Sequence, residues 1–292
     1  MLEQLLNLYP ICGQQHKLKG LYLAHRVDTL GSTADPFIYA NFLSSLDGRI
    51  ALEDRAQNTP SYIPKHITTV SDFKLFMELH AQADCLITHG GYMRALSEKR
   101  LGNVLQVKNN ELIEWRCNHG LKPQPAVIIA SASLDFPIHP SLHEHQQGCF
   151  IATGENADVE RIRYWQNQGF KILKAGEDKM VQGAALIQQL KKLKYKSIYL
   201  IAGPRMLDTM IREKQLSRLY LTMTHQLIGG LDFRTLLTGP MLADEGNMKL
   251  KSLYYEQDSP IGSGQFFMHF DLHSDVTHPN DISIKILGYE NT

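Results

Sequence analysis

The sequence predicts an α/β protein with a largely parallel sheet that closes in an antiparallel edge near the C-terminus. Short apolar runs alternate with helical patterns between about residues 37 and 224, as in successive β-α-β units. The stretches 249–256 and 264–272 have the pattern of a closing antiparallel pair. Of the 292 residues 43% are hydrophobic, which supplies a sizeable core. No linker rich in Gly, Pro or Ser divides the chain.

The first 35 residues are predicted to form an extension packed on the main domain, or equally an arm that contacts a second copy. One short helix ended by Pro10 is predicted from the spacing of Leu2, Leu5, Leu6 and Tyr9. The segment 20–24 reads as a strand. Residues 102–125 read as irregular, and the last 20 residues are polar and predicted to be peripheral.

The central region alternates strands with helices. Strands are predicted at 37–43, 85–88, 126–130, 148–152, 170–173, 197–201 and 218–224. Helices are predicted at 71–81, 92–100, 158–168, 181–193 and from 204 to about 214. Ser71 and Asp158 are predicted N-caps, and Pro204 suits a first helical turn.

Composition excludes several classes of function. Thirty basic residues balance thirty acidic ones, so no charge excess indicates a nucleic-acid or membrane-surface partner. No apolar run reaches membrane-spanning length, and the N-terminus lacks the bases of a signal peptide. The four scattered cysteines, without a Cys-x-x-Cys pair, predict a reduced cytoplasmic protein. A histidine-rich patch, His139, His143 and His145 with Glu144, lacks the ligand spacing of a zinc motif and is predicted to be a surface loop, so no metal site is expected.

A polar loop follows the first central strand. Ser44 and Ser45 come directly after the strand at 37–43, and Asp47, Gly48 and Arg49 follow them. Polar side chains at the end of a rigid strand can hold a small molecule. Asp-Gly is also a common turn pair, so a simple tight turn explains the same residues.

Two predicted strands end in glycine just before a helix. These turns are 88–91 (Thr-His-Gly-Gly) and 201–204 (Ile-Ala-Gly-Pro). A helix N-terminus offers free N–H groups, and glycine lets a phosphate approach the backbone closely. Such turns also occur without any ligand. The chain has neither G-x-G-x-x-G nor a Walker loop, so a dinucleotide would not be bound in the Rossmann manner.

Asn41 together with 44–51 (Ser-Ser-Leu-Asp-Gly-Arg-Ile-Ala) resembles the first block of the pyrimidine reductases of riboflavin biosynthesis. The two glycine turns and Leu-Ile-Gly-Gly at 227–230 follow in the family's order. The resemblance implies a dihydrofolate reductase-like, three-layer α/β/α reductase domain at 36–272. Residues 1–35 would then be an N-terminal extension and 273–292 a C-terminal tail. It also implies a homodimer.

The resemblance implies NADPH as cofactor, with NADH not excluded, and a small-molecule substrate. Asp47 would be catalytic, as a substrate ligand or an indirect proton donor, unless it only shapes the turn. The implied substrate ligands are Asn41, Ser44, Ser45 and Arg49, although Arg49 could equally be a solvated surface residue. The implied cofactor ligands are Thr88, His89, Gly90, Gly91, Ser131, Thr153, Gly154, Ala202, Gly203, Pro204 and Arg205.

The chain departs from the family at charged positions. Ile201 and Ala202 replace a substrate-facing Glu and a Gly, and Ala132 replaces an Arg that could hold the 2′-phosphate of NADPH. An acidic Asp-Asp-Pro segment is replaced by 95–101 (Ala-Leu-Ser-Glu-Lys-Arg-Leu). These departures indicate a retained cofactor fold with an altered substrate site.

The implied reaction is hydride transfer to 5-amino-6-(5-phosphoribosylamino)uracil or a related pyrimidine- or pterin-like substrate. Such chemistry needs mainly a positioned nicotinamide and a proton source. The alternative is a diverged, non-catalytic nucleotide-binding relative, or a reductase of a different substrate. A histidine-dependent transferase or hydrolase has no supporting Ser-His-Asp spacing.

Overall fold

The computed structural model describes residues 4–54, 59–257 and 263–272. Its strands are β1 Gln4–Tyr9, β2 Gln15–Lys17, β3 Phe37–Ser45, β4 Ala51–Asp54, β5 Thr59–Tyr62, β6 Cys85–His89, β7 Ala126–Ala130, β8 Cys149–Thr153, β9 Lys171–Lys174, β10 Ser197–Leu200, β11 Arg218–Thr224, β12 Asp232–Arg234, β13 Met248–Glu256 and β14 Gln265–Leu272. Its helices are α1 Val70–His80, α2 Gly90–Ser97, α3 Asn110–Asn118, α4 Ser141–Glu144, α5 Val159–Asn167, α6 Gly183–Lys192 and α7 Pro204–Arg212.

One sheet of eleven strands organises the described residues, in the order β2-β1-β13-β14-β11-β3-β10-β6-β7-β8-β9. The strands from β11 to β9 are mutually parallel, and β14, β13 and β1 continue the sheet in antiparallel fashion. A second, small sheet has the order β12-β4-β5. The expected mostly parallel sheet with an antiparallel C-terminal edge is therefore confirmed.

Helices cover both faces of the large sheet. Buried side chains of α1, α2 and α5 pack on one face, around Leu75, Leu79 and Trp165. Buried side chains of α6 and α7 pack on the other, around Leu186 and Leu207. Helices α2, α5, α6 and α7 each come between two parallel strands, so their N-termini lie at the carboxyl ends of the strands. This three-layer arrangement confirms the α/β/α expectation.

The N-terminal predictions are wrong in two places. Residues 4–9 form strand β1, which pairs with β13, because side chains along it alternate between buried and less buried positions. Residues 20–24 do not form the predicted strand. The backbone N–H groups of Gly20 and Tyr22 instead donate to the carboxylate of Glu78 at 2.5 and 2.8 Å. The segment continues into a 3₁₀ turn, Leu23–His25.

Other elements differ from prediction in type or limits. Residues 110–118 form α3, capped by Asn109, within a region predicted to be irregular. Thr69, rather than Ser71, caps α1 by accepting the N–H of Asp72 at 3.0 Å. Asp158 caps α5 as predicted. The predicted tail, 273–292, lies outside the described residues.

A buried histidine cluster predicts acid sensitivity. His25 contacts the Tyr220 hydroxyl at 2.9 Å and packs on His269, whose Nδ1 lies 2.5 Å from Ser252 Oγ. Burial, with Arg218 nearby, lowers the pKa of His25 to about 4. Burial, with His25 and Arg218 nearby, lowers the pKa of His269 to about 2. Because both pKa values lie below the unfolded value, protonation favours the unfolded chain.

We expect these two histidines to lower the free energy of unfolding by about 3–4 kcal/mol between pH 7 and pH 5, nearly 2 kcal/mol for each. Chemical denaturation at both pH values measures this loss. His25→Gln should reduce the loss, whereas a matched change at the exposed His145 should leave it unchanged. An equal pH dependence in the His25→Gln variant would contradict the assignment.

A candidate active site at the carboxyl edge of the sheet

A cavity of about 290 Å³ lies where β6, β7 and β10 end and α7 begins. Its lining comprises His89, Ala130, Ser131, Ala132, Met180, Val181, Gly203, Pro204, Arg205, Met206, Thr209, Arg234 and Thr238. These lining residues include two arginines and no Asp or Glu. The cavity therefore suits an anionic ligand.

Helix α7 points its N-terminus at this cavity. Gly203 is its N-cap and Pro204 its first residue, and no side chain caps the helix. A Cβ on Gly203 would find only one atom within 4 Å, His89 Nε2 at 3.9 Å. The glycine thus leaves room for a ligand beside N–H groups and the positive end of a helix dipole.

His89 faces the same space from the end of β6. Its Nδ1 accepts the N–H of Tyr92 at 3.3 Å and so caps α2. Burial, followed by the charge of Arg94, lowers the pKa of His89. A neutral imidazole that accepts at Nδ1 carries its proton on Nε2, the atom nearest Gly203. His89 can therefore donate a hydrogen bond into the cavity.

Of the predicted cofactor residues, the cavity lining brings together His89, Ser131, Gly203, Pro204 and Arg205. The others lie nearby with different contacts. Gly90 packs against Ser131 and Phe136, and Gly91 packs against the His89 ring. Ala202 is buried, and the buried Thr88 and Thr153 hydroxyls have no hydrogen-bond partner among the described residues. Gly154 packs against the backbone of 178–179, where a side chain would clash.

The predicted loop after β3 is tied together by Asp47. Its carboxylate contacts the Ser45 hydroxyl at 2.5 Å, the Arg49 guanidinium at 2.6 Å, and the backbone N–H groups of Gly229 and Ile228 at 2.9 and 3.4 Å. Burial acts to raise the pKa of Asp47. These four partners stabilise its charged form more strongly, so the resulting pKa is about 2. Asp47 is therefore ionised at neutral pH and fastens this loop to the chain at 228–229.

Ser44 and Arg49 also make internal contacts. The Ser44 hydroxyl is buried and donates to the Ser45 carbonyl at 2.9 Å. The Arg49 guanidinium lies 4.2 Å from the centre of the Phe233 ring on β12. Arg234, the next residue, reaches the cavity and pairs with Glu53 of β4. The small sheet thus connects the loop to the cavity.

Asn41, a predicted substrate ligand, lies on the sheet face covered by α1. The polar side chains of Tyr199, Asp72 and Thr222 on this face were not predicted as site residues. The Asn41 side chain neighbours the Tyr199 hydroxyl, yet neither Asn41 Oδ1 nor that hydroxyl has a well-aligned hydrogen-bond partner among the described residues. Asp72 approaches from α1 and accepts a hydrogen bond from Thr222 of β11. Helical spacing could have found Asp72, since it precedes the buried Leu75 and Leu79 by three and seven residues.

Burial dominates the electrostatics of Asp72. Burial raises the pKa of the carboxyl, as does the nearby Glu256. The Thr222 hydroxyl lowers the pKa, and the resulting value is about 6.

Arg234 and Thr238 also line the cavity, although no local sequence motif indicated them, because they come from a segment far along the chain. Among the described residues, no helix is both long and apolar enough to cross a bilayer.

Comparison with known proteins finds relatives and solved structures that are named as reductases or as reductase-like proteins. An archaeal relative, 2,5-diamino-6-ribosylamino-4(3H)-pyrimidinone 5′-phosphate reductase of Archaeoglobus fulgidus, is 23% identical over 229 residues, 78% of this chain and 95% of that protein. A pyrimidine reductase-like protein of Corynebacterium diphtheriae has a similar structure, with TM-score 0.64, 18% identity and coverage of 83% of this chain and 94% of that one.

The riboflavin biosynthesis reductase Rib7 of Saccharomyces cerevisiae also shares the fold, with TM-score 0.57, 14% identity and coverage of 87% of this chain and 99% of that one. These likenesses agree with the dihydrofolate reductase-like fold expected from sequence. The model of the RibD C-terminal domain family matches residues 36–260, most of the chain and nearly all of its α/β core. The chain belongs to the RibD C-terminal domain family.

Proposed function

We propose that this protein is a NADPH-dependent reductase that transfers hydride to a ribosylaminopyrimidine phosphate in riboflavin biosynthesis. One observation carries the proposal: a carboxylate-free cavity lies at the uncapped N-terminus of α7, next to the hydrogen-bond donor of His89. Membership of a family that includes reductases of this pathway supports it.

The cavity residues fit a dinucleotide phosphate. The N-terminus of α7 would hold the pyrophosphate, with Gly203 allowing its close approach. His89 would donate from Nε2 to an anionic oxygen, and Arg205 at the rim would add positive charge. When bound, the reduced nicotinamide supplies the hydride. Thr88, Gly90, Gly91, Ser131, Thr153, Gly154, Ala202 and Pro204 remain proposed as the surrounding wall.

The side chains at the end of β3 would orient the substrate. Asn41 has a free amide oxygen on the face below α1. Ser44, Ser45 and Arg49 keep the strand end and its loop in one conformation through their internal contacts. We assign Asp47 a positioning role, because a carboxylate with four partners and a pKa of about 2 has no proton to donate at neutral pH.

Asp47→Asn tests this role. The variant loses the ion pair with Arg49 and loosens the link to Gly229, so we expect kcat to fall roughly tenfold through misplacement of the substrate. The cofactor Kd should stay within about twofold, and the pH profile above pH 4 should keep its shape. Steady-state kinetics across pH measures both. Loss of the fall in kcat on the alkaline side of the profile in the variant would instead identify Asp47 as the proton donor.

Two substrates fit the proposed reaction. One is 5-amino-6-(5-phosphoribosylamino)uracil, expected from the sequence resemblance. The other is the 2,5-diaminopyrimidinone named for the archaeal relative. The two rings differ at position 2, which carries oxygen in the first and an amino group in the second. Either would place its ring beside β3 and its sugar toward the cofactor.

The function is tested by binding and turnover with the purified chain. Nicotinamide fluorescence should report saturable NADPH binding, with NADH as the comparison. Either substrate should then cause oxidation of NADPH and form a ribitylamino product. No binding of either cofactor at millimolar concentration would overturn the reductase assignment. Binding without turnover of either substrate would favour a non-catalytic relative.

The family resemblance also supports a homodimer in the cytoplasm as part of the proposal. Sedimentation of the purified chain would test the dimer. A single species at the mass of one chain would contradict it.

A further inference from the structure

One arginine of the cavity comes from the small sheet. Arg234 ends β12, which pairs with β4, and its backbone carbonyl accepts the N–H of Ile50 at 2.9 Å. The same residue lines the cavity at the start of α7, as does Thr238. Because β4 directly follows the loop around Asp47, Arg234 joins that loop to the cavity and adds a cation to the lining.

The segment that carries Arg234 is fixed at both ends. On one side, the backbone N–H groups of 228–229 bind the Asp47 carboxylate. On the other side, Gly239 packs directly on the Asp208 carboxylate of α7, where there is no room for a Cβ. A group that is already held in place loses little freedom when a ligand binds. The backbone at Arg234 is therefore positioned before any ligand arrives.

Glu53 orients the guanidinium of Arg234. Its carboxylate, which is 11% exposed, accepts a hydrogen bond from Arg234 Nε, whereas the arginine side chain is 46% exposed. Within the described part of the chain, the two η nitrogens of Arg234 have no hydrogen-bond partner. A guanidinium carries five N–H donors in a planar fork that matches a phosphate group. Anchored at Nε, Arg234 keeps the other four for a ligand.

Arg49, the substrate arginine implied by the sequence resemblance, is engaged elsewhere. Its guanidinium pairs with Asp47 at 2.6 Å and lies over the Phe233 ring. It is not among the described residues that line the cavity, whereas Arg234, which follows Phe233 on β12, is one of them. The cation that the resemblance places at Arg49 is therefore available to a ligand at Arg234 instead.

The lining fits a second phosphate group. It contains two arginines and no carboxylate. In the proposed function, the N-terminus of α7, His89 and Arg205 already bind the pyrophosphate of the cofactor. A further guanidinium calls for a further anion, because an arginine fork and a phosphate form strong, charge-assisted hydrogen bonds. The proposed substrate supplies that anion as the phosphate on C5 of its ribose.

We propose that Arg234 is a specificity-determining residue that binds the 5′-phosphate of the substrate. This inference rests on the proposed reductase function. The segment that carries Arg234 is bound to the loop after β3, beside which the substrate ring is placed, and this favours the substrate phosphate over a phosphate of the cofactor. The Thr238 hydroxyl can donate to the same group. The protein then selects the phosphorylated substrate over the free ribosylamino compound.

Two stable probes test the assignment without turnover. Ribose 5-phosphate and ribose differ only in the phosphate. Calorimetric titration of the whole chain, with oxidised cofactor present, should show roughly 10- to 100-fold tighter binding of ribose 5-phosphate, as for hydrogen bonds to a charged group. In Arg234→Gln, which keeps a donor but loses the charge and the fork, the preference should fall to within about threefold.

Turnover gives an independent readout. In Arg234→Gln, kcat/KM for the phosphorylated substrate should fall roughly 10- to 100-fold, whereas kcat/KM for the dephosphorylated compound should stay within about twofold. A general loss of order in the loop would lower both values. The Kd of NADPH should also stay within about twofold, because the contacts at the N-terminus of α7 are unchanged.

Arg26→Gln is the matched control. Arg26 is 43% exposed and pairs at 2.9 Å with Asp28, whose carboxylate is 4% exposed, so the lost ion pair resembles that between Arg234 and Glu53. Arg26 is not one of the described residues that line the cavity. The control should keep the wild-type preference for ribose 5-phosphate.

An unchanged preference in Arg234→Gln, an equal loss in Arg26→Gln, or no preference in the wild-type chain would overturn the assignment. Weaker NADPH binding in Arg234→Gln with the probe preference intact would also overturn it, since the cation would then bind the cofactor. Turnover and NADPH binding of the wild-type chain are measured separately, so failure of the Arg234 assignment is distinguishable from failure of the reductase function.

Discussion

Gly203→Val is expected to weaken NADPH binding by roughly 100-fold or more, about 2.7 kcal/mol. The backbone at Gly203 is extended, with φ −76° and ψ −175°, so valine can adopt it without strain. The only atom within 4 Å of an added Cβ is His89 Nε2. The new side chain would therefore enter the cavity and occupy the position proposed for the pyrophosphate, while the surrounding fold stays intact.

Gly102→Val provides the matched control. An added Cβ at Gly102 also meets no atom within 4 Å, but this glycine does not line the cavity. Fluorescence titration should give wild-type affinity for the control and little binding for Gly203→Val, with similar melting temperatures for both. Wild-type affinity in the Gly203→Val variant would exclude the N-terminus of α7 as the pyrophosphate site.

Arg116→Met is expected to lower the free energy of unfolding by about 3 kcal/mol. Arg116 is fully buried, and its guanidinium donates to the carbonyls of Ala81 and Ala83 at 2.9 and 2.8 Å and of Lys122 at 2.8 Å. Burial lowers its pKa to about 10, so it remains charged at neutral pH. Methionine fills much of the space but leaves the carbonyls of Ala81 and Ala83, just after α1, and of Lys122, after α3, without this donor.

Arg163→Met is the control for Arg116, because Arg163 is exposed and its ion pair with Glu160 lies at the surface. Its effect on urea denaturation should stay within about 0.5 kcal/mol. Cofactor affinity should be unchanged in folded Arg116→Met, since the carbonyls that lose their donor follow α1 and α3 and do not line the cavity. Equal stabilities of the two variants would show that the buried contacts contribute little.

Sequence periodicity predicted the central sheet well, because its strands are short apolar runs bounded by Gly and polar residues. It failed at 4–9, where leucines at helical spacing lie in a strand whose partner, β13, is some 240 residues away in sequence. It also missed α3, whose main buried side chain is Arg116 rather than an apolar residue. Local patterns record which residues avoid water, but not the distant partner that satisfies the backbone.

Some features of the candidate site could be predicted from local sequence motifs, and others depend on tertiary contacts. The glycine turns around Gly90 and Gly203, and the polar loop around Asp47, were visible as local motifs and matched a family pattern. The lowered pKa of Asp47 and the raised pKa of Asp72 depend on contacts between residues far apart in the chain.

The sequence by itself determined the family, the α/β class and the strand ends that carry the proposed cofactor site, because these depend on local hydrophobic pattern and glycine placement. Only the tertiary structure decided that Asp47 is ionised at neutral pH and that it holds its loop to the chain at 228–229. Burial and hydrogen bonding set those properties, and both arise when separate segments meet at one edge of the sheet.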